Sequence, residues 1–131
     1  MGSKRILIVD NEAYVREVTQ ISLQIMAGWD VITASSGQEA LEKAAIELPD
    51  AILLDVMMPD MNGITTCQRL QAQPETQSIP VILMTGQANQ SQDLSYATLG
   101  IKATVSKPFD PLTLANQIAE ILGWELDSQS V

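Results

Sequence analysis

The sequence predicts an α/β domain built on a parallel sheet. Two observations carry this: short apolar runs alternate with longer amphipathic stretches from end to end, and turn or capping residues separate them at the spacing of βα units. Five such units can be counted. The 131 residues fit one domain, and 46% hydrophobic against 18% charged residues leaves enough apolar surface to offset the entropy lost on folding. Residues 1–124 are therefore expected to form a single domain, with a frayed tail over 125–131.

The strands are expected at Arg5 to Val9, Val31 to Ala34, Ala51 to Leu54, Pro80 to Met84 and Ala103 to Val105. Each is too short for a helix and most are rich in Ile, Leu and Val, as strands buried on both faces should be. Between them, Val18, Ile21 and Ile25 share one helical face, as do Ala40 and Ala44 with Leu41 and Leu48, and Leu114 and Ile118 with Ile121 or Leu122. These stretches are expected to cover the sheet. Helix starts are marked by Asp10 or Asn11, by Ser35 or Ser36, by Asn62, and by Asp110 before Pro111. Breaks fall at Gly28, Pro49, Pro74, Gly100 and Gly123.

Composition excludes several function classes. Sixteen acidic against seven basic residues give a charge of −9, which opposes direct binding to nucleic-acid phosphates. No apolar run approaches the ~20 residues that span a bilayer, so no membrane segment and a cytoplasmic location are expected. The lone Cys67 rules out an internal disulfide or a cysteine-cluster metal site, and with no histidine there is no His-based triad or His-ligated zinc. The chemistry is left to carboxylates, hydroxyls and lysine.

In an open parallel sheet, ligands bind beyond the carboxyl ends of the strands. The polar residues collect there: Asp10, Asn11 and Glu12 after the first strand, Asp55 after the third, Thr85 and Gly86 after the fourth, Ser106-Lys107-Pro108 after the fifth. Taken singly, each has a plain explanation. Asp10 or Asn11 serves as a helix cap, Asp55 as a turn residue before Met57-Met58-Pro59-Asp60, Lys107 as a solvated lysine, and the methionines as adaptable packing. Their coincidence at one sheet edge is what points to a site.

The runs Ile8-Val9-Asp10-Asn11-Glu12, Leu54 through Gly63, Met84-Thr85-Gly86 and Ser106-Lys107-Pro108-Phe109 resemble the receiver domain of two-component response regulators, over nearly the whole chain. The resemblance implies a doubly wound, flavodoxin-like fold with strand order 2-1-3-4-5. It further implies that Asp55 accepts a phosphoryl group from a histidine kinase or histidine phosphotransfer protein and that partner binding then switches. Mg²⁺ is implied beside Asp10, Asn11, Asp55 and the backbone carbonyl of Met57, with Lys107 and Thr85 stabilising the phosphoryl oxygens. Pro108 implies a lysine aimed back into the pocket. The downstream protein partner stays unnamed, and dimerisation stays open.

Two positions depart from the family pattern. Asn11 stands where a second acid is usual, removing one negative charge from the metal site, and Glu12 is its nearest auxiliary. Thr104, three residues before Lys107, stands where an aromatic switch residue is usual. Both favour the competing reading, a receiver-like interaction module not controlled by phosphorylation; the intact Asp10, Asp55, Thr85 and Lys107 oppose it. A haloacid dehalogenase-type phosphatase would need a second Asp where this chain has Met57, and no P-loop or dinucleotide glycine pattern occurs. The protein is thus expected to be a signalling domain that assists only its own phosphorylation and dephosphorylation.

Overall fold

The computed structural model describes residues 4–86, 99–107 and 109–125. Five strands, β1 (Arg5–Val9), β2 (Asp30–Ala34), β3 (Ala51–Asp55), β4 (Val81–Thr85) and β5 (Ile101–Ser106), pair in parallel in the order β2-β1-β3-β4-β5. The expected order is the observed one. The described helices are α1 (Ala13–Ala27), α2 (Gly37–Glu47), α3 (Gly63–Ala72) and α4 (Leu114–Leu122). The largest boundary difference is at β5, which begins at Ile101 rather than Ala103 because a register irregularity lets Ile101 pair with Val81 before Ala103 meets Ile82.

Alternation along the strands divides the core in two. Leu7, Val9, Ile52, Leu54 and Leu83 face α2 and α3, meeting Ala40, Leu41, Ala44, Cys67 and Leu70. Ile6, Ile8, Leu53, Ile82 and Met84 face the other way, meeting Leu23, Trp29, Leu114 and Ile118. This two-sided burial explains why the strands read as unbroken apolar runs. Burial also pushes the Cys67 thiol up to about 12, leaving it an inert packing residue.

Three local expectations are corrected. On α1 the buried residues are Thr19, Ser22 and Leu23, of which Leu23 packs into the sheet core, whereas Ile21 is 54% and Ile25 71% exposed. The Ser22 hydroxyl donates to the Pro111 carbonyl at the start of the last helical segment. Leu48 is exposed because it ends α2 in a left-handed conformation, with φ of 48°. Neither Asp10 nor Asn11 caps α1: Glu12 holds the N-cap position without a side-chain bond, and Asp10 turns inward. Ser36 and Asn62 do cap, accepting from Glu39 N–H and Thr65 N–H. Asp110 accepts from Leu112 N–H in the turn that leads into α4. Pro108 and the tail beyond Glu125 lie outside the described residues.

Candidate functional site

Parallel strands end their carboxyl termini on one edge, and three of them deliver the charged residues. Asp10 follows β1 and is fully buried; its N–H donates to Ala34 O at 3.1 Å, and its Oδ1 accepts from Glu12 N–H at 2.9 Å. Arg16 on α1 donates to the Asp10 carbonyl at 2.7 Å. Asp55 is the last residue of β3 and 4% exposed, with Oδ1 accepting from Met57 N–H at 3.2 Å. After β5, Lys107 N–H donates to the Thr85 carbonyl at 2.8 Å, which ties the lysine to the end of β4.

The Lys107 ammonium is the centre of the group. Nζ lies 2.9 Å from Asp10 Oδ2, 3.3 Å from Asp55 Oδ2 and 4.0 Å from Glu12 Oε1. The sequence left the direction of Glu12 open; its carboxylate turns toward this site. Burial pushes the Asp55 carboxyl above its ordinary value, the Met57 amide opposes this, and the neighbouring Asp10 charge adds to the rise. Burial acts downward on Lys107, but the hydrogen bond and charge of Asp10, with those of Asp55, carry its net shift upward. Two buried carboxylates sharing one ammonium leave negative charge uncompensated in a water-poor place.

That imbalance is a fit test for a divalent cation, and the residues meet it. Asp10 Oδ2 is buried, and the Lys107 ammonium 2.9 Å away is the one partner it has among the described residues. Three carboxylates stand against one ammonium, so a dication would balance them. Among the described residues no three acidic, His or Cys side chains converge on one vacant point; they converge on Lys107 Nζ. Asn11 is exposed, and the Met57 side chain is 75% exposed, so only its backbone could serve as a ligand here.

The remaining sequence candidates divide. Thr85 ends β4 beside Met84, the partner of Asp55 in the sheet. Thr104 sits half-buried on β5 opposite Leu83, further from the strand ends. Sequence reasoning missed Arg16 and Asp60, whose partners are backbone groups that no motif names. A glycine was needed at 63, because a Cβ there would stand 2.8 Å from the Asp55 carbonyl. Beside Lys107 a groove lined by Tyr14, Val15, Val18, Phe109 and Pro111 leads onto the exposed apolar face of α1.

Comparison with known proteins agrees with this geometry. The profile of the response regulator receiver domain matches residues 6–119. The alkaline phosphatase synthesis transcriptional regulatory protein PhoP of Bacillus subtilis is 38% identical over 120 residues, covering 92% of this chain and 49% of that protein. The chain thus spans about half the length of that relative. Among solved structures, chemotaxis response regulator CheY4 of Vibrio cholerae superposes with a TM-score of 0.83 at 28% identity, covering 91% of this chain and 98% of that one. The signal receiver domain of a signal transduction histidine kinase from Syntrophus aciditrophicus gives 0.75 at 29%, covering 92% and 91%. With the strand order, the buried acids around Lys107 and this match over most of its length, the chain belongs to the response regulator receiver domain family, whose members are signalling domains of two-component systems.

Proposed function

We propose that Asp55 is the phosphoacceptor and that residues 1–124 act in the cytoplasm as one receiver domain of a two-component pathway. The observation that carries this is the buried pair Asp10 and Asp55 bridged by Lys107 at 2.9 and 3.3 Å. An Asp55 oxygen attacks the phosphorus of a phosphohistidine; the O–P bond forms, the N–P bond breaks, and the leaving imidazole takes up a proton. Lys107 and the Thr85 hydroxyl are the residues at hand to hold phosphoryl oxygens, so the domain assists its own phosphorylation and the later hydrolysis. Mg²⁺, held by Asp55, the Met57 carbonyl, and Asp10 or Asn11, would neutralise charge on the transferring group.

The donor is a histidine kinase or histidine phosphotransfer protein, and the apolar face of α1 that continues from the Lys107 groove supports a protein donor. The decisive experiment is incubation with Mg²⁺ and acetyl phosphate, followed by intact mass and peptide mapping. An acid-labile adduct on Asp55 is expected; no adduct under conditions that saturate other receivers rejects the assignment.

A second reading, a docking module independent of phosphorylation, draws on Asn11 and on the small, half-buried Thr104. Thr104 has no bulk to turn inward after a change at Thr85, so coupling to the outer face of β5 and α4 should be shallow. Amide shift maps with and without beryllofluoride separate the two readings. Large shifts at Asp55 with small ones at Thr104 are expected; none at either favours the docking module.

A further inference from the structure

The start of α2 is capped from two directions. As at every helix start, its first amides lack partners within the helix. Ser36 satisfies one of them: its Oγ accepts from Glu39 N–H at 3.1 Å, while its carbonyl takes the first regular helical bond, from Ala40 N–H at 3.0 Å. Two more are satisfied from a distance, since Asp60 Oδ1 accepts from Gly37 N–H at 3.1 Å and Oδ2 from Gln38 N–H at 3.0 Å. Asp60 belongs to the loop between Asp55 and α3. It spends both carboxylate oxygens on a helix it is not part of, at the positive end of that helix's dipole.

The same contact is tight at the level of packing. A Cβ on Gly37 would stand 2.4 Å from Met61 Cγ and 2.8 Å from Thr66 Oγ1, so the loop lies directly against the helix start. At its far end the loop is closed by the Gly63 N–H, which donates to the Val56 carbonyl at 2.8 Å. Met57 lies between these anchors. Its N–H already holds Asp55 Oδ1 at 3.2 Å, and its carbonyl is the oxygen assigned above to the proposed cation.

We propose that Asp60 is a positioning residue for the phosphoacceptor site: by latching the loop to α2 it fixes the Met57 carbonyl and the Asp55 carboxylate relative to each other. This rests on the assignment of Asp55 and its cation made above. The competing account is that Asp60 only stabilises α2. Ser36 provides the control, because its described hydrogen bonds go to Glu39 and Ala40 of the same helix and not to the loop.

The test is a Mg²⁺ titration of the full chain followed by backbone amide shifts, with thermal unfolding recorded in parallel. Asp60→Ala is expected to weaken Mg²⁺ binding by about tenfold, the usual scale for groups that orient a ligand from outside the coordination sphere. Ser36→Ala is expected to lower the thermal midpoint comparably and leave the affinity unchanged. Asp60→Asn keeps one acceptor and the side-chain shape, so it should fold and fall between Asp60→Ala and the natural chain. Equal Mg²⁺ affinity in the natural chain, Asp60→Asn and Asp60→Ala overturns the latch alone. Absence of any saturable Mg²⁺ response in the natural chain overturns the cation assignment and the latch with it.

Discussion

The two ends of the sheet solve the same charge arithmetic differently. At the carboxyl end of the strands, Lys107 faces Asp10, Glu12 and Asp55; at the opposite end, Arg5 faces Asp30 at 2.8 Å and Glu47 at 3.1 Å, and its backbone N–H donates to Asp50 at 2.8 Å. Each is one cation among three acids. At the Arg5 end the paired side chains are 41 to 50% exposed, so water screens the excess charge and the network does no more than tie strand starts to the end of α2. At the Lys107 end Asp10 and Asp55 are almost fully buried, and the same excess becomes a standing demand for a further cation. Burial, not composition, separates a fastening from a reactive site.

The largest effect that would test this contrast is Asp55→Asn. Phosphorylation by acetyl phosphate should vanish, because an amide is not a useful nucleophile, while the metal-free fold should become more stable at pH 7. The sign follows from Asp55: its folded pKa is raised, so its ionised form costs stability above that value and the cost disappears as pH falls below the ordinary carboxylate range. Thermal midpoints of both proteins between pH 7 and pH 3, read from the Trp29–Trp124 pair remote from the site, should therefore converge on acidification. A destabilised Asp55→Asn at neutral pH would mean that the Lys107 bond outweighs the buried charge.

Next in size is Lys107→Met, which leaves two buried carboxylates unpaired. Breaking a fully buried pair costs ~3–5 kcal/mol, and with Lys107 still 22% exposed we expect roughly 2 to 3 kcal/mol in urea unfolding at pH 7. The loss should shrink with acidification, and saturating Mg²⁺ should restore part of it by binding only the folded state. An unchanged midpoint would place the two acids in far better solvated surroundings than their burial implies.

Asn11→Asp should tighten Mg²⁺ binding by about tenfold, since ligand charge tunes such sites over decades. Equal affinities in an NMR titration would show that Glu12 already supplies the missing charge. The smallest effect belongs to the opposite end: Arg5→Gln should shift the thermal midpoint only slightly at low salt and not at all at high salt. A large, salt-independent loss there would erase the contrast between the two ends.

Much of this was legible in the chain itself. The five apolar runs, the Ser36 and Asn62 caps, and the acids and lysine at strand ends depend on local pattern, and parallel pairing carries every strand end to one edge whatever the loops do. Family resemblance then supplied the strand order and the roles. Tertiary structure alone decided which face of α1 is inside, because Thr19, Ser22 and Leu23 are buried, with Ser22 bonded to the Pro111 carbonyl, while the more apolar Ile21 and Ile25 stay out, against the rule that periodicity follows hydrophobicity. It also decided where Glu12 points and what Asp60 holds. Both are side-chain directions set by residues remote in sequence, Lys107 and the Gly37 and Gln38 amides, and no local spacing encodes a contact whose two halves meet only when the sheet has formed.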